Sequence, residues 1–184
     1  MADHRAEEVL RFWFDPALDA KERSKRWFTK DAAFDAEIRR RFLPLHEAAA
    51  AGRLPGWQAD PRECLALVVV LDQFPRNMFR GGPRAFATDE LAREAARALL
   101  PRAGELSADE RLFAYLPFEH SESLADQDLT CELMRDFDAD LLRYALRHRE
   151  IIARFGRFPH RNAILGREST PEEMEFLKQP GSGF

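Results

Sequence analysis

Apolar residues recur along this chain three and four positions apart, and no stretch alternates with the period of two that marks a strand. Val9, Leu10, Trp13 and Phe14 share one face of a first helix that stops at Asp15-Pro16. A short second helix leads to Trp27-Phe28. Asp31 opens a long third helix with Phe34, Ile38, Phe42 and Leu45 on one face, a kink expected at Pro44 and a terminator in Gly52. In Asp60-Pro61-Arg62-Glu63 the Asp can cap, the Pro suits a first turn and the Glu can close a capping box. That helix is apolar all round from Leu65 to Leu71, which makes it the central one, and Phe74-Pro75 is expected to end or kink it.

Gly81-Gly82-Pro83 reads as a loop, and Thr88 as the cap of a helix running to Leu100. Ser107 with Glu110 reads as a capping box, opening a helix that Pro117 breaks. From Asp126 the pattern is helical to about Arg154, with an interruption near Asp136 to Asp140. Leu141, Tyr144, Ala145, His148, Ile152 and Phe155 form one inward face. A fixed, non-helical path follows from Gly156 to Gly166. Thr170-Pro171-Glu172-Glu173 then caps a last helix through Leu177. No linker divides the chain. Its 184 residues predict a single all-α domain, 1–184, with a flexible tail over 179–184.

A chain of this length can bury about 70% of the surface that its unfolded form exposes, so neither metal nor disulfide is needed to hold it. Fifteen Phe and three Trp against two Tyr imply a core of rings with few polar handles. Cys64 and Cys131 lie inside helical patterns, apart from each other and from any CxxC, and read as reduced buried thiols. The N-terminus has no apolar signal core, and the longest apolar run falls far short of the ~20 residues of a membrane helix. A cytoplasmic protein is expected. A net charge of -4 and a pI near 5.8 argue against a nucleic-acid binder.

Three polar segments could carry chemistry. In Leu71-Asp72-Gln73-Phe74-Pro75-Arg76-Asn77, Asp72 follows a buried apolar run and needs a partner, for which Arg76 is the obvious choice. The segment is either an ion pair that fixes the kink or a helix end at which Gln73, Arg76 and Asn77 face a pocket. In the second, Pro117-Phe118-Glu119-His120-Ser121-Glu122 with Gln127 beyond, a carboxylate beside an imidazole could do acid/base work; the plainer reading is a polar helix start. The third is the inward His148 and the run Arg154-Phe155-Gly156-Arg157-Phe158-Pro159-His160-Arg161-Asn162. Its guanidinium forks suit carboxylates and phosphates, and its rings can stack a ligand.

Charge is divided sharply around these segments. Phe118 to Asp140 carries eight acids and one Arg, whereas Leu141 to Arg167 carries seven Arg, two His and one acid. The division means either internal pairing of neighbouring helices or a cationic cleft set in an acidic shell. Asp136, Asp138 and Asp140 imitate the start of a calcium loop, but Leu141 stands at the sixth position, where the turn requires glycine, and Arg147 at the twelfth, where a carboxylate ligand is required. No HExxH, P-loop, GxGxxG or nucleophile elbow is present.

Taken together, the three segments resemble the bacterial domain of unknown function 924 family. Ala85-Phe86-Ala87-Thr88-Asp89, Leu165-Gly166-Arg167-Glu168-Ser169-Thr170 and the closing Pro180-Gly181-Ser182 add to the likeness, which spans nearly the whole chain. The resemblance implies an all-α fold similar to tetratricopeptide-repeat proteins, a right-handed superhelix of antiparallel helix pairs. It brings no known reaction.

On residues alone the chain reads as a binding module. Asp72, Gln73, Arg76, Asn77, Glu119, His120, Glu122, Gln127, His148, Arg154, Arg157, His160, Arg161 and Asn162 would line a cleft for an anionic small molecule or peptide. The alternative is a small hydrolase or transferase, with Glu119 or His120 as base, His148 or His160 as acid, and arginines stabilising an anion. A third reading makes the same residues polar networks that pin helix ends. Neither a cofactor nor a metal is implied, no nucleic acid or membrane partner is expected, and the oligomeric state is left open.

Overall fold

The computed structural model describes residues 3–183. Among them are ten α-helices and no strand, as the helical spacing predicted. The helices are α1 (His4–Trp13), α2 (Ala20–Phe28), α3 (Ala32–Ala50), α4 (Pro61–Val68), α5 (Phe74–Met78), α6 (Asp89–Leu99), α7 (Ala108–Glu119), α8 (Leu124–Leu133), α9 (Ala139–Phe155) and α10 (Pro171–Leu177). The backbone falls into two compact units, Met1–Arg80 with Arg84–Pro117, and Gly81–Pro83 with Phe118–Phe184. No helix among the described residues is long and apolar enough to cross a membrane.

In the first unit α4 is the central helix, packed by α1 and α6, while α3 lies against α5. Five of the eight α4 residues are buried apolar side chains, from Cys64 to Val68, as its unbroken apolar run requires. Beside it stands a cluster of rings. Trp13 is wholly buried, with Phe113 at 5.4 Å, Phe74 at 5.8 Å and Phe34 at 6.0 Å between centroids. Such pairs add about 0.5–1.5 kcal/mol each beyond area burial. The Trp27 indole N–H donates to the Trp13 carbonyl at 2.8 Å and so ties the end of α2 to the end of α1.

The helical path does not end at Phe74-Pro75 but continues through them into α5. Between α4 and α5, residues Val69–Gln73 form one π-helical turn, in which the Phe74 N–H reaches back to the Val69 carbonyl. Pro75 has no N–H to offer, so carbonyls in this turn lose helical partners. Side chains supply donors instead. His46 Nδ1 donates to Val70 O at 3.0 Å, Thr88 Oγ1 to Leu71 O at 2.6 Å and Arg76 Nη1 to Asp72 O at 2.8 Å.

Thr88 therefore precedes α6 without capping it through its side chain, because its hydroxyl is spent on Leu71. Glu63 likewise leaves the expected capping box and accepts the Asp3 N–H at 2.6 Å, while Asp60 caps α4 alone. Pro117 does not break α7, which continues to Glu119. The buried Phe113 and Phe118 on either side keep the helix packed across the missing hydrogen bond.

In the second unit α8 packs against α9. Ile151, Ile152 and Phe158 form a small core against which Phe155 and Phe176 rest. The inward face of α9 is Ala145, His148, Ile151 and Ile152; Tyr144, expected on that face, is 47% exposed. Gly156 ends α9 at φ 68°, a left-handed position that costs glycine little. Thr170 and Glu173 close the predicted capping box on α10. Within the tail, Gly181 O accepts from Arg147 Nη2 at 2.9 Å and Ser182 Oγ donates to Leu177 O at 3.1 Å. Phe184, the last residue of the segment expected to be flexible, lies outside the described residues.

Candidate functional site

The first polar segment, in the first unit, is a closed network. Asp72 is fully buried. Its Oδ2 accepts from Gln73 Nε2 at 2.6 Å, and its Oδ1 lies 3.2 Å from Arg76 Nη1. Arg76 also grips Asp89 with both terminal nitrogens, at 2.8 and 3.0 Å. One guanidinium thus serves two carboxylates and a freed carbonyl of the π turn. Asn77 looks elsewhere, donating to Asp35 Oδ1 at 2.7 Å beside the Arg80–Asp35 pair. His46, which no motif marked, and Asp89, the last residue of the 85–89 segment but not singled out for chemistry, complete this network. Desolvation holds His46 neutral, and its Nδ1 must carry the proton because its partner is a carbonyl.

All the other predicted residues lie in the second unit, at the junction of α7 and α8, on α9 and in the segment after it. Gln127, wholly buried, organises the junction. Its Nε2 donates to Glu119 O and Ser121 O at 2.7 Å each, with Phe118 O at 3.4 Å. Ser121 Oγ donates to Asp126 Oδ2 at 2.8 Å. The turn therefore presents Glu119 and His120 from a fixed backbone.

Glu122 is the clasp to the following segment. Its carboxylate accepts the Phe158 N–H at 2.8 Å and both terminal nitrogens of Arg167, at 2.8 and 2.9 Å. Burial alone would raise its pKa, but Arg167 and the Phe158 N–H reverse the sign and lower it. Arg167 Nε also holds Asn162 Oδ1 at 3.0 Å. Asn162 Nδ2 in turn reaches Ser169 Oγ and Glu173 Oε2.

The predicted cationic clamp is largely committed to acids. Arg157 binds both oxygens of Glu173, and Arg154 binds Glu172 at 2.8 Å. Glu173 was legible only as the third position of a capping box, a role that gave no hint of a buried partner.

What converges is a group of imidazoles. His148 Nδ1 donates to Tyr144 O at 2.8 Å and lies 3.6 Å from Glu119 Oε1, both side chains being almost wholly buried. The His148 ring meets Phe158 edge-on at 5.7 Å, and Phe158 has His160 at 5.7 Å and the Arg161 guanidinium at 4.5 Å. Arg161 Nη2 donates to the His120 carbonyl at 3.0 Å. Desolvation, with smaller contributions from His120, Arg161 and His160, holds His148 down at about 3. His160 is held at about 4 by desolvation first, then by Arg161, Arg167 and His120. His148, His160 and Arg161 thus surround Phe158, with Glu119 beside His148 and the His120 carbonyl held by Arg161. Among the described residues no three His, Cys, Asp or Glu are placed to hold a metal ion.

These observations define an all-α chain whose three polar motifs are hydrogen-bonded networks, one in the first unit and two interlocked in the second. The chain belongs to the family described as bacterial protein of unknown function (DUF924), whose model matches residues 9–181. A solved structure of a protein of unknown function from Agrobacterium tumefaciens is 45% identical over 95% of this chain and 97% of its own, with a TM-score of 0.87. No curated protein matches the chain.

Proposed function

We propose that the second unit binds a small anion, a carboxylate-bearing metabolite or a peptide carboxylate, at the cluster of His120, His148, His160 and Arg161. The supporting observation is the convergence of two imidazoles, His148 and His160, and the Arg161 guanidinium around Phe158, with Arg161 also tied to the His120 carbonyl in the turn after α7. In this reading Gln127, Glu122 and Asn162 form the frame that holds the cluster. Arg154 and Arg157 lie outside it, because their charges are already matched. Asp72, Gln73, Arg76 and Asn77 serve the π turn and an ion-pair network of the first unit. A groove of the kind tetratricopeptide-like superhelices present, and a cytoplasmic location suited to two buried free cysteines, belong to the same reading.

The test follows the imidazole resonances by NMR while succinate or inorganic phosphate is added. Resonances of His148 and His160 move in the wild type, and an Arg161→Gln variant weakens the response. Silence of all three rings at millimolar anion overturns the reading.

One observation favours a second reading. The Tyr144 carbonyl fixes the His148 ring through Nδ1, and the Glu119 carboxylate 3.6 Å from that nitrogen would stabilise an imidazolium formed during proton transfer in a hydrolase or transferase. Since desolvation keeps His148 and His160 neutral at pH 7, they would enter such a reaction as bases. Turnover of a substrate panel that is lost in Glu119→Gln would support this reading over simple binding.

A further inference from the structure

The chain is rich in arginine and poor in lysine, with only Lys21, Lys25, Lys30 and Lys178, and three of these four fall within ten residues. Lys178 is paired with Glu175 at 2.7 Å. Lys21, Lys25 and Lys30 are exposed and enter no ion pair among the described residues. Their arginine neighbours behave differently, Arg23 holding Asp109 at 2.9 Å and Arg26 holding Asp15 at 3.0 Å. The helix that carries most of them, α2, buries none of its residues. Lys21, Lys25 and Phe28 stand four and three apart and so share a face, and Phe28 is 59% exposed.

Beside this face lies an open cleft of about 650 Å³, formed by α2 and the start of α3 within the first unit. Leu18 and Phe34 give it apolar walls, and Lys25, Arg26 and Lys30 stand around them. Two carboxylates also line it, but both are occupied with backbone N–H groups. Glu22 accepts from Asp19 N at 2.9 Å in a capping box, and Asp31 caps α3 through Ala33 N and Phe34 N. Arg26 is held by Asp15, so the cleft combines apolar walls with two lysines, Lys25 and Lys30, that enter no ion pair among the described residues, on a protein whose overall charge is -4. Lysine keeps a hydrated, mobile charge suited to a rim, where arginine here is spent on fixed pairs.

We propose that this cleft docks an acidic peptide segment, one or two apolar side chains entering between Leu18 and Phe34 with flanking carboxylates on Lys25 and Lys30. Charge complementarity chooses the occupant, and the apolar walls give it register.

The probe is a fluorescein-labelled octapeptide, Glu-Glu-Asp-Leu-Phe-Asp-Glu-Glu, followed by anisotropy with the full chain. The wild type binds it, and rising salt weakens binding. Lys25→Glu/Lys30→Glu weakens it by about tenfold or more, while Lys25→Arg/Lys30→Arg retains it. A peptide with Ser-Ser in place of Leu-Phe loses affinity. Both variants change exposed positions, so their melting temperatures stay at the wild-type value. Absence of binding at millimolar protein overturns the proposal, as does equal binding by the charge-reversed variant. Tighter binding of phosphatidylserine vesicles or of polyuridylate than of the peptide also overturns it, by assigning the face to a membrane or to RNA.

Discussion

Arg157 closes on Glu173 with a bidentate grip, Nε to Oε1 at 2.7 Å and Nη2 to Oε2 at 2.8 Å, although the two residues stand sixteen positions apart. The carboxylate is almost wholly buried and also accepts the Thr170 N–H at 2.7 Å. Both carboxylate oxygens therefore accept hydrogen bonds, and the pair joins the segment after α9 to the cap of α10.

A pH dependence follows from this pair. Arg157 first, then the Thr170 N–H, lowers the Glu173 pKa to about 2, against a free value of about 4.3. A lowered native pKa stabilises fully above the free value and loses its contribution as the pH falls toward the native one. The wild-type melting temperature should fall between pH 5 and pH 2, and the fall should be shallower in Glu173→Gln, which has no proton to take up there. Parallel melting curves for the two proteins over that range would contradict the assignment.

Thr88→Val conserves shape and removes the hydroxyl that donates to the Leu71 carbonyl in the π turn. A buried acceptor left without its donor costs about 1–3 kcal/mol. Chemical denaturation should show that loss with an unchanged m-value. A variant as stable as wild type would mean that the freed carbonyl finds another donor.

Gln127→Leu leaves the carbonyls of Glu119 and Ser121 without their side-chain donor at a buried turn. The expected cost is again about 1–3 kcal/mol. Because the same turn presents His120, its imidazole resonance should shift as well. A change in stability with no change at His120 would separate the turn from the cluster.

Anion binding at the imidazole cluster should take up protons. An anion stabilises imidazolium, so it raises the pKa of His160 from about 4 and that of His148 from about 3. Affinity then rises as the pH falls from 7 toward the His160 value. Sulfate does not titrate in this range and is a suitable probe. Calorimetry at pH 6 in two buffers of different ionisation heat should give different observed enthalpies. Identical enthalpies would show binding without protonation.

Helix positions were legible in the chain because they rest on short-range rules. The apolar run from Leu65 to Leu71 marked α4, and Thr170 with Glu173 marked α10. Thr88 and Pro117 were misread for one reason: both were judged by their own helix. Thr88 is recruited across 17 positions by a carbonyl in need, and Pro117 is carried by the burial of Phe113 and Phe118. Tyr144 has the right spacing for the inward face of α9, but spacing does not say how far along a helix its neighbours extend.

The linear pattern of apolar and polar residues sufficed for the all-α class, the central helix and the membership of Glu119, His120, His148 and His160 in special segments, since caps, periodicity and composition act within a few residues. Which cation meets which acid was decided by folding alone. Arg76 with Asp89, Arg157 with Glu173 and Arg167 with Glu122 are pairs between segments 13 to 45 positions apart. A guanidinium carries no mark of its partner, because an ion pair depends on separation in space, and only packing of the helices sets that separation.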